Sequence, residues 1–423
     1  MQHLDNEMEF DSYRQYVNPY WYQALVESVG ARTFVKGEGS KVVDNTGKIW
    51  LDLVAQYGCA SLGHNSDAAI AAISEYVSNK SVNIQQWGIN SFAGELACLL
   101  IKYSNLSHAK VVFGSTGSEA IETAMKLAMS ATGRQLSISF EGGFHGLTLS
   151  AMQLMGNSLW AGPLPIDKEY PVLKRANLPQ WERILGTGNY AAVVLELVQG
   201  IGGGYCWSQS DLLTIQDVCK RTGTKLIVDE VLTGIGRTGK WFCSNHYENF
   251  EPDMIVVSKG LTGGLVPISA VLVRDEIHCS MFASAASAKI HGSTFAANML
   301  AVKIALFTVY EIEKADLVES VADNGAWLFE KLAGLRALYP VISAIDGMGY
   351  LVCIKFDDAF PEIGYYIFEL LMANGVLVNL CSHRPNTIKL TPALNIEIGQ
   401  LNEFLNIFEQ VLIYVSENID EVG

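Results

Sequence analysis

One pattern recurs between residues 110 and 275: a short apolar run rich in Val and Ile, a glycine-containing turn, then a stretch of helical period. The runs are KVVF (110–113), LSISF (136–140), AVVLELV (192–198), KLIVDE (225–230), MIVVSK (254–259) and ISAVLVR (268–274). Several are apolar at successive positions, not alternate ones. That predicts strands buried on both faces, as in a mostly parallel sheet covered by helices, and so an α/β architecture. Before this region, GEGSKVVDNTGKIWLDLV alternates around the turn signal NTG and predicts a small antiparallel meander. From about residue 300 helical periodicity dominates, followed by short strands near GYLVCIKF and TIKLTPAL. With 423 residues the chain suits one large domain and a smaller α+β domain built from both chain ends. The expected partition is 1–62 and 306–423 for the small domain and 63–305 for the large one.

Composition narrows the function classes. Hydrophobic residues make up 49% and charged residues 17%, and 29 basic against 44 acidic residues give a net charge of −15, scattered along the chain. Nucleic acid is therefore not an expected partner. No stretch reaches the roughly 18 uninterrupted apolar residues of a membrane span. The eight cysteines form no CxxC pair, so no metal site and no disulfide framework is expected. The acidic start MQHLDNEMEFDSYRQY lacks the apolar segment of an export signal, and the expected location is the cytoplasm.

In an open α/β sheet, ligands bind outside the carboxyl ends of the strands. Three charged residues close otherwise apolar runs there: Glu196, Asp229 and Lys259. Buried charges are costly unless paired, so three at one edge point to a site. Glycines follow two of them (Gly234 and Gly236; Gly260, Gly263 and Gly264) and let backbone approach a ligand closely. FGSTGSEAIETAMKLA (113–128) adds a helix start whose free amides at Gly117, Ser118 and Glu119 would cradle a phosphate. Its helix is expected to bury Ile121, Ala124, Met125 and Ala128 and to pair Glu122 with Lys126 on another face. No GKS or GKT ending makes it a nucleotide loop. Together these parts match pyridoxal 5'-phosphate. That cofactor needs a primary amine for its aldehyde, an acid for its pyridine nitrogen and backbone donors for its phosphate. A carboxylate about 4 Å from the ring nitrogen contributes roughly 4 kcal/mol toward the pyridinium at an effective dielectric near 20.

From end to end the chain resembles the class III, fold type I, pyridoxal-phosphate aminotransferases. The resemblance rests on YVNPYW (16–21), LGHN (62–65), GSTGSEAIETAMKLA, GGFHG (142–146), LELVQG (195–200), IVDEVLTGIGRTGKWF (227–242), PDMIVVSKG (252–260), HGSTFAAN (291–298) and IKLTPALN (388–395). It implies that Lys259 forms the Schiff base and shuttles the substrate proton, while Asp229 pairs with the ring nitrogen. Val231 and Phe144 would cover the two ring faces, with His145 beside the latter. Gly117 and Ser118 would bind the phosphate, joined by Thr294 reaching across from the other subunit of an obligate homodimer with shared active sites. Arg237 is given a structural role at the subunit interface.

Departures from the family pattern shape the expected substrate. Leu232 stands where many members hydrogen-bond the ring hydroxyl with glutamine, and Leu197 and Ile201 replace a proline and a glutamate. Lys389 replaces the arginine that grips an α-carboxylate bidentately. Glu196, the usual partner of that arginine, is kept, so a Glu196–Lys389 pair is expected to open for an acidic co-substrate. Arg384 is a second candidate carboxylate ligand. Tyr20, Trp21 and Tyr57 fall where the family lines the substrate entrance. The segment from EIGY (362–365) to Lys389 resembles the putrescine and ω-amine branch. The implied reaction is ping-pong transfer between a primary amine or aldehyde and a keto acid or amino acid. An ornithine-type or acetylornithine-type substrate and an amino shift within one molecule remain alternatives, and a non-enzymatic relative is weighed against a full set of catalytic positions.

Overall fold

The structure, a computed structural model, describes residues 6–85, 87–155, 158–162, 164 and 170–418. Strands β1 (Phe34–Glu38), β2 (Lys41–Asp44) and β3 (Ile49–Asp52) form the antiparallel meander expected around NTG. The central sheet contains β4 (Ala109–Gly114), β5 (Leu136–Phe140), β6 (Val172–Leu173), β7 (Tyr190–Leu195), β8 (Lys225–Asp229), β9 (Met254–Val257) and β10 (Ser269–Arg274). Their spatial order is β4-β10-β9-β8-β7-β5-β6. Neighbours are parallel except around β10, which runs antiparallel to both β4 and β9. Parallel neighbours need a long crossover, usually a helix, whereas an antiparallel neighbour can be reached by a tight connection. The chain therefore passes from β9 to β10 through a compact turn, and that turn carries Lys259.

Both faces of the sheet are covered, which is why its strands read as continuous apolar runs. On one side the helix Gly117–Thr132 buries Ile121, Ala124, Met125 and Ala128, as expected, against Val194, Ile227, Val256 and Val271. On the other, Leu212, Ile215 and Val218 of the helix Gln209–Thr222 pack on Ile138, Val193, Leu195 and Val228. The expected Glu122–Lys126 pair is not formed. Glu122 accepts hydrogen bonds from the Thr148 hydroxyl and the Ser150 amide, each at 2.9 Å, and so holds the start of the helix Leu149–Gln153. Lys126 instead meets the His291 ring at 2.9 Å. Bonds to a helix start outweigh a solvated pair that contributes only a few tenths of a kcal/mol, roughly 0.2–0.5.

The remaining strands are β11 (Ile342–Met348), β12 (Leu351–Phe356), β13 (Val376–Leu377), β14 (Asn379–Cys381) and β15 (Arg384–Leu390). Four of them make an antiparallel sheet of order β11-β12-β15-β14, while β13 joins the meander parallel to β3. Strands from both ends of the chain thus share one sheet. Of the boundaries expected for the partition, 62/63 lies in a turn and 305/306 falls inside the helix Met299–Lys314. Among the described residues no helix is long and apolar enough to cross a membrane, and no group of three or more metal-ligating side chains is assembled.

Candidate active site

Strands β7, β8 and β9 are parallel and in register, with Leu195 opposite Val228 and Asp229 opposite Val256, so their carboxyl ends form one edge. Glu196, Asp229 and Lys259 all lie there, and the structure brings them together. Asp229 is buried; one carboxylate oxygen accepts the Val231 amide at 3.0 Å and the other meets His145 Nδ1 at 2.8 Å. Burial pulls the His145 ring toward neutrality, but the adjoining Asp229 carboxylate outweighs it and leaves the pKa above the usual histidine value. The other ring nitrogen, Nε2, is buried without a hydrogen-bond partner among the described residues.

Glu196 is also buried, and it is not paired with Lys389 as expected. Its carboxylate accepts the Phe144 amide at 2.8 Å and the Gly200 amide at 3.2 Å. Burial pushes its pKa up to about 7, against the opposing charge of His145. Two preoriented amides beside the strand end satisfy it locally, and Lys389 arrives from β15, a strand of a different sheet. Among the described residues neither Lys259 nor Lys389 belongs to an ion pair. Lys259 begins the short turn Lys259–Thr262 with φ at +37°. Burial, then the charge of Lys389, holds its ammonium below the ordinary lysine value. Such an amine is more readily deprotonated, the state a nucleophile requires.

The anion cradle is narrower than expected. Thr116 caps the helix by accepting the Glu119 amide at 3.2 Å, which leaves the amides of Gly117 and Ser118 as its open donors. A side chain could not replace hydrogen at two glycines around it. A Cβ on Gly117 would stand 2.9 Å from Val231 Cγ1, and one on Gly146, whose φ is +116°, would stand 2.0 Å from Ser118 Oγ. The helix start at Gly117 and Ser118, Val231 and the FHG turn are therefore packed against one another. Phe144 turns its ring edge-on to Trp160, with centroids 5.3 Å apart. Leu232 lies between Gly58 and Gly200, whose added Cβ atoms would come within 2.8 and 2.3 Å of its methyls.

Other expected residues lie farther out. Thr294 is exposed on this single chain. Tyr20 and Trp21, 82% and 48% exposed, sit on the helix Pro19–Val29, whose main contacts are with the helices Asn6–Tyr16 and Ile363–Ala373. Tyr57 is exposed but belongs to a turn whose next residue, Gly58, abuts Leu232. Arg384 is exposed, with its methylenes against Gly203, five positions along β15 from the buried Lys389. Arg237, expected to act at a subunit interface, is interior: it is 2% exposed and donates to the carbonyls of Tyr350, at 3.3 Å, and Pro392. Burial lowers its pKa to about 10. The sequence reading missed Trp160 and its partner His383, which accepts the indole N–H at 2.6 Å. No motif marks them, because they meet across 223 positions.

The arrangement fits the group expected from the sequence. Two open amides and a glycine cradle suit a phosphate, a buried carboxylate backed by histidine suits a ring cation, and an unpaired amine with a lowered pKa suits a carbonyl. The orphaned His145 nitrogen, and Lys259 and Lys389, which belong to no ion pair among the described residues, are groups that a bound ligand would satisfy.

Comparison with known proteins agrees with the geometry. The sequence model of the family described as "Aminotransferase class-III" matches residues 24–412. An acetylornithine aminotransferase of Archaeoglobus fulgidus is 33% identical over 88% of this chain and 93% of its own length. A putrescine aminotransferase of Pectobacterium atrosepticum is 30% identical over 96% and 89%. The aminotransferase PigE of a Serratia species is 33% identical over 84% of this chain, which spans only 42% of that relative. Among solved structures, an amine transaminase from an uncultivated Pseudomonas species, in its PLP-bound form, superposes with a TM-score of 0.83 at 26% identity, covering 90% of this chain and 95% of its own.

Proposed function

Because this chain belongs to the class III aminotransferases, enzymes that depend on pyridoxal phosphate, we propose that it moves an amino group between a primary amine lacking an α-carboxylate, or the matching long-chain aldehyde, and a keto acid or amino acid. When bound, the cofactor supplies a carbonyl that accepts the amino group and a ring that draws electrons from the carbon losing its proton. Lys259 would hold it through Nζ and, as a free amine, carry the proton to and from that carbon. Asp229 would keep the ring nitrogen protonated, with His145 fixing the carboxylate at 2.8 Å. Phe144 and Val231 would enclose the ring, and Gly117 and Ser118 would hold the phosphate. Thr294 of the partner subunit would complete that cradle in a homodimer with shared sites.

The observation that carries the choice of amine is Lys389. It is only 5% exposed, belongs to no ion pair among the described residues, and stands where the family's carboxylate-gripping arginine is expected. A single ammonium lacks the planar fork that holds an α-carboxylate bidentately, yet it can receive the keto acid of the second half-reaction. Leu232, wedged between Gly58 and Gly200, adds apolar wall. Relatives of both putrescine and acetylornithine type keep the second reading open. A panel of diamines, long-chain amines, ornithine and acetylornithine, assayed with pyruvate and 2-oxoglutarate, separates them. The proposal expects kcat/KM for the carboxylate-free amines to exceed the others by about tenfold or more, and the reverse order would overturn it.

A further inference from the structure

Residues Ala55, Gln56 and Tyr57 have φ of +45°, +55° and +58°, and Gly58 follows at +83°. With ψ of +49° at Gln56 and +35° at Tyr57, and the Gly58 amide bonded to the Val54 carbonyl at 2.9 Å, they make one turn of left-handed helix. L-residues visit this region singly and at a cost, so three in succession persist only where neighbours impose them. The neighbours are identifiable. Asp52, the last residue of β3, accepts the amides of Val54 (2.8 Å) and Ala55 (2.9 Å) with Oδ1 and meets His64 Nε2 at 2.7 Å with Oδ2. The other ring nitrogen, Nδ1, lies 3.5 Å from the Gln56 amide nitrogen, so the ring links Asp52 to the turn.

The turn faces the segment that carries Lys259. The Ser61 hydroxyl donates to the Gly260 carbonyl at 2.7 Å, and the Gly58 carbonyl lies 3.6 Å from where a Gly260 Cβ would be. Gly264, itself at φ +78°, is so close to Gln56 Oε1 and the Ala60 amide that an added Cβ would come within 2.3 and 3.1 Å. Lys259 is also in the left-handed region, at +37°. Two strained turns thus lean on one another, and the first is locked by a carboxylate and a histidine that form no hydrogen bond or ion pair with Lys259 among the described residues.

We propose that the left-handed turn 55–58, pinned by Asp52, His64 and Gln56, is a positioning device that sets the orientation of Lys259. It rests on the reading of Lys259 as the cofactor-bearing amine. Gln56→Ala and Gln56→Gly remove the same side chain, but only glycine relieves the backbone, so their difference isolates strain from contact. The cofactor-free Gln56→Gly protein is expected to melt about 1–2 °C above Gln56→Ala. Its loaded form is expected to have kcat about tenfold lower with KM changed less than about twofold. The pH midpoint of its visible absorption band should also shift from that of Gln56→Ala. For the lock, His64→Gln, which keeps an N–H for Asp52, should retain kcat within about threefold, while His64→Leu should lose about tenfold.

Equal kcat and equal band midpoints in the two Gln56 variants would overturn the positioning role. So would kcat rising with melting temperature, which is the signature of a structural turn. Wild-type protein with no visible band after loading with pyridoxal phosphate would instead overturn the reading of Lys259 itself.

Discussion

Lys259 and Asp229 share a strand edge without forming an ion pair, and chemistry requires that separation. A lysine salt-bridged to Asp229 would be held protonated, whereas burial and the charge of Lys389 lower its pKa. Lys259→Ala is expected to abolish the visible absorbance of the loaded protein and to lower amino transfer by at least about 10³-fold. Asp229→Asn is expected to keep the cofactor but lose about 4 kcal/mol of ring-cation stabilisation, or roughly 10³-fold in kcat. Absorbance after gel filtration, read beside kcat, separates binding from chemistry. Lys389→Arg restores the fork and should raise kcat/KM for α-amino acids by about tenfold. Lys259 and Asp229 were legible because each closes an apolar run, and Lys389 through the resemblance to the family pattern. The partners of Glu196 were not, since amides of Phe144 and Gly200 are chemically like any others until the fold aims them.

At the scale of elements, packing decides which substitutions are tolerated. Gly117→Ala would press on Val231 at 2.9 Å, and Gly146→Ala combines a contact of 2.0 Å with a φ of +116°. Both should weaken cofactor affinity, Gly146→Ala the more, as read by titrating apoprotein with pyridoxal phosphate. Glu230, fully buried next to Asp229, accepts the amides of Cys243 and Ser244 at the head of the turn Cys243–His246. Burial pushes its pKa from 4.5 up to about 7. A raised carboxyl stabilises the fold fully below its unfolded value, and that contribution, about 3 kcal/mol, is lost as pH rises through about 7. The melting temperature of wild type should therefore fall more between pH 5 and 8 than that of Glu230→Gln. A parallel decline in both would refute the assignment. Long apolar runs announced six strands of the central sheet, but β6 has only two residues and too little pattern to detect. The direction of β10 was hidden as well, because an apolar run reads alike both ways.

The whole molecule raises the question of a second copy. Trp87 and Ile89 are 92% and 95% exposed, and Phe295, beside Thr294, is 57% exposed. Large apolar side chains left open in this way favour association. Sedimentation equilibrium is expected to give twice the chain mass of 46.2 kDa. If the site is shared, Lys259→Ala and Thr294→Glu subunits, each nearly inactive alone, should regain part of the wild-type activity when unfolded and refolded together. Absence of recovery would place Thr294 outside the partner's site. The chain's order of residues alone determined the sheet class, the helix that starts with open amides at Gly117 and Ser118, and the amine and acid that close neighbouring strands. Those properties are written in local periodicity and in the cost of placing charge after an apolar run. Tertiary structure alone decided the pairings: Glu122 with a helix start, Glu196 with two amides, Arg237 with interior carbonyls, and a left-handed turn against Lys259. Pairings are settled by distances through space, and the register of the strands and the closure of the loops fix those distances only when the chain is folded.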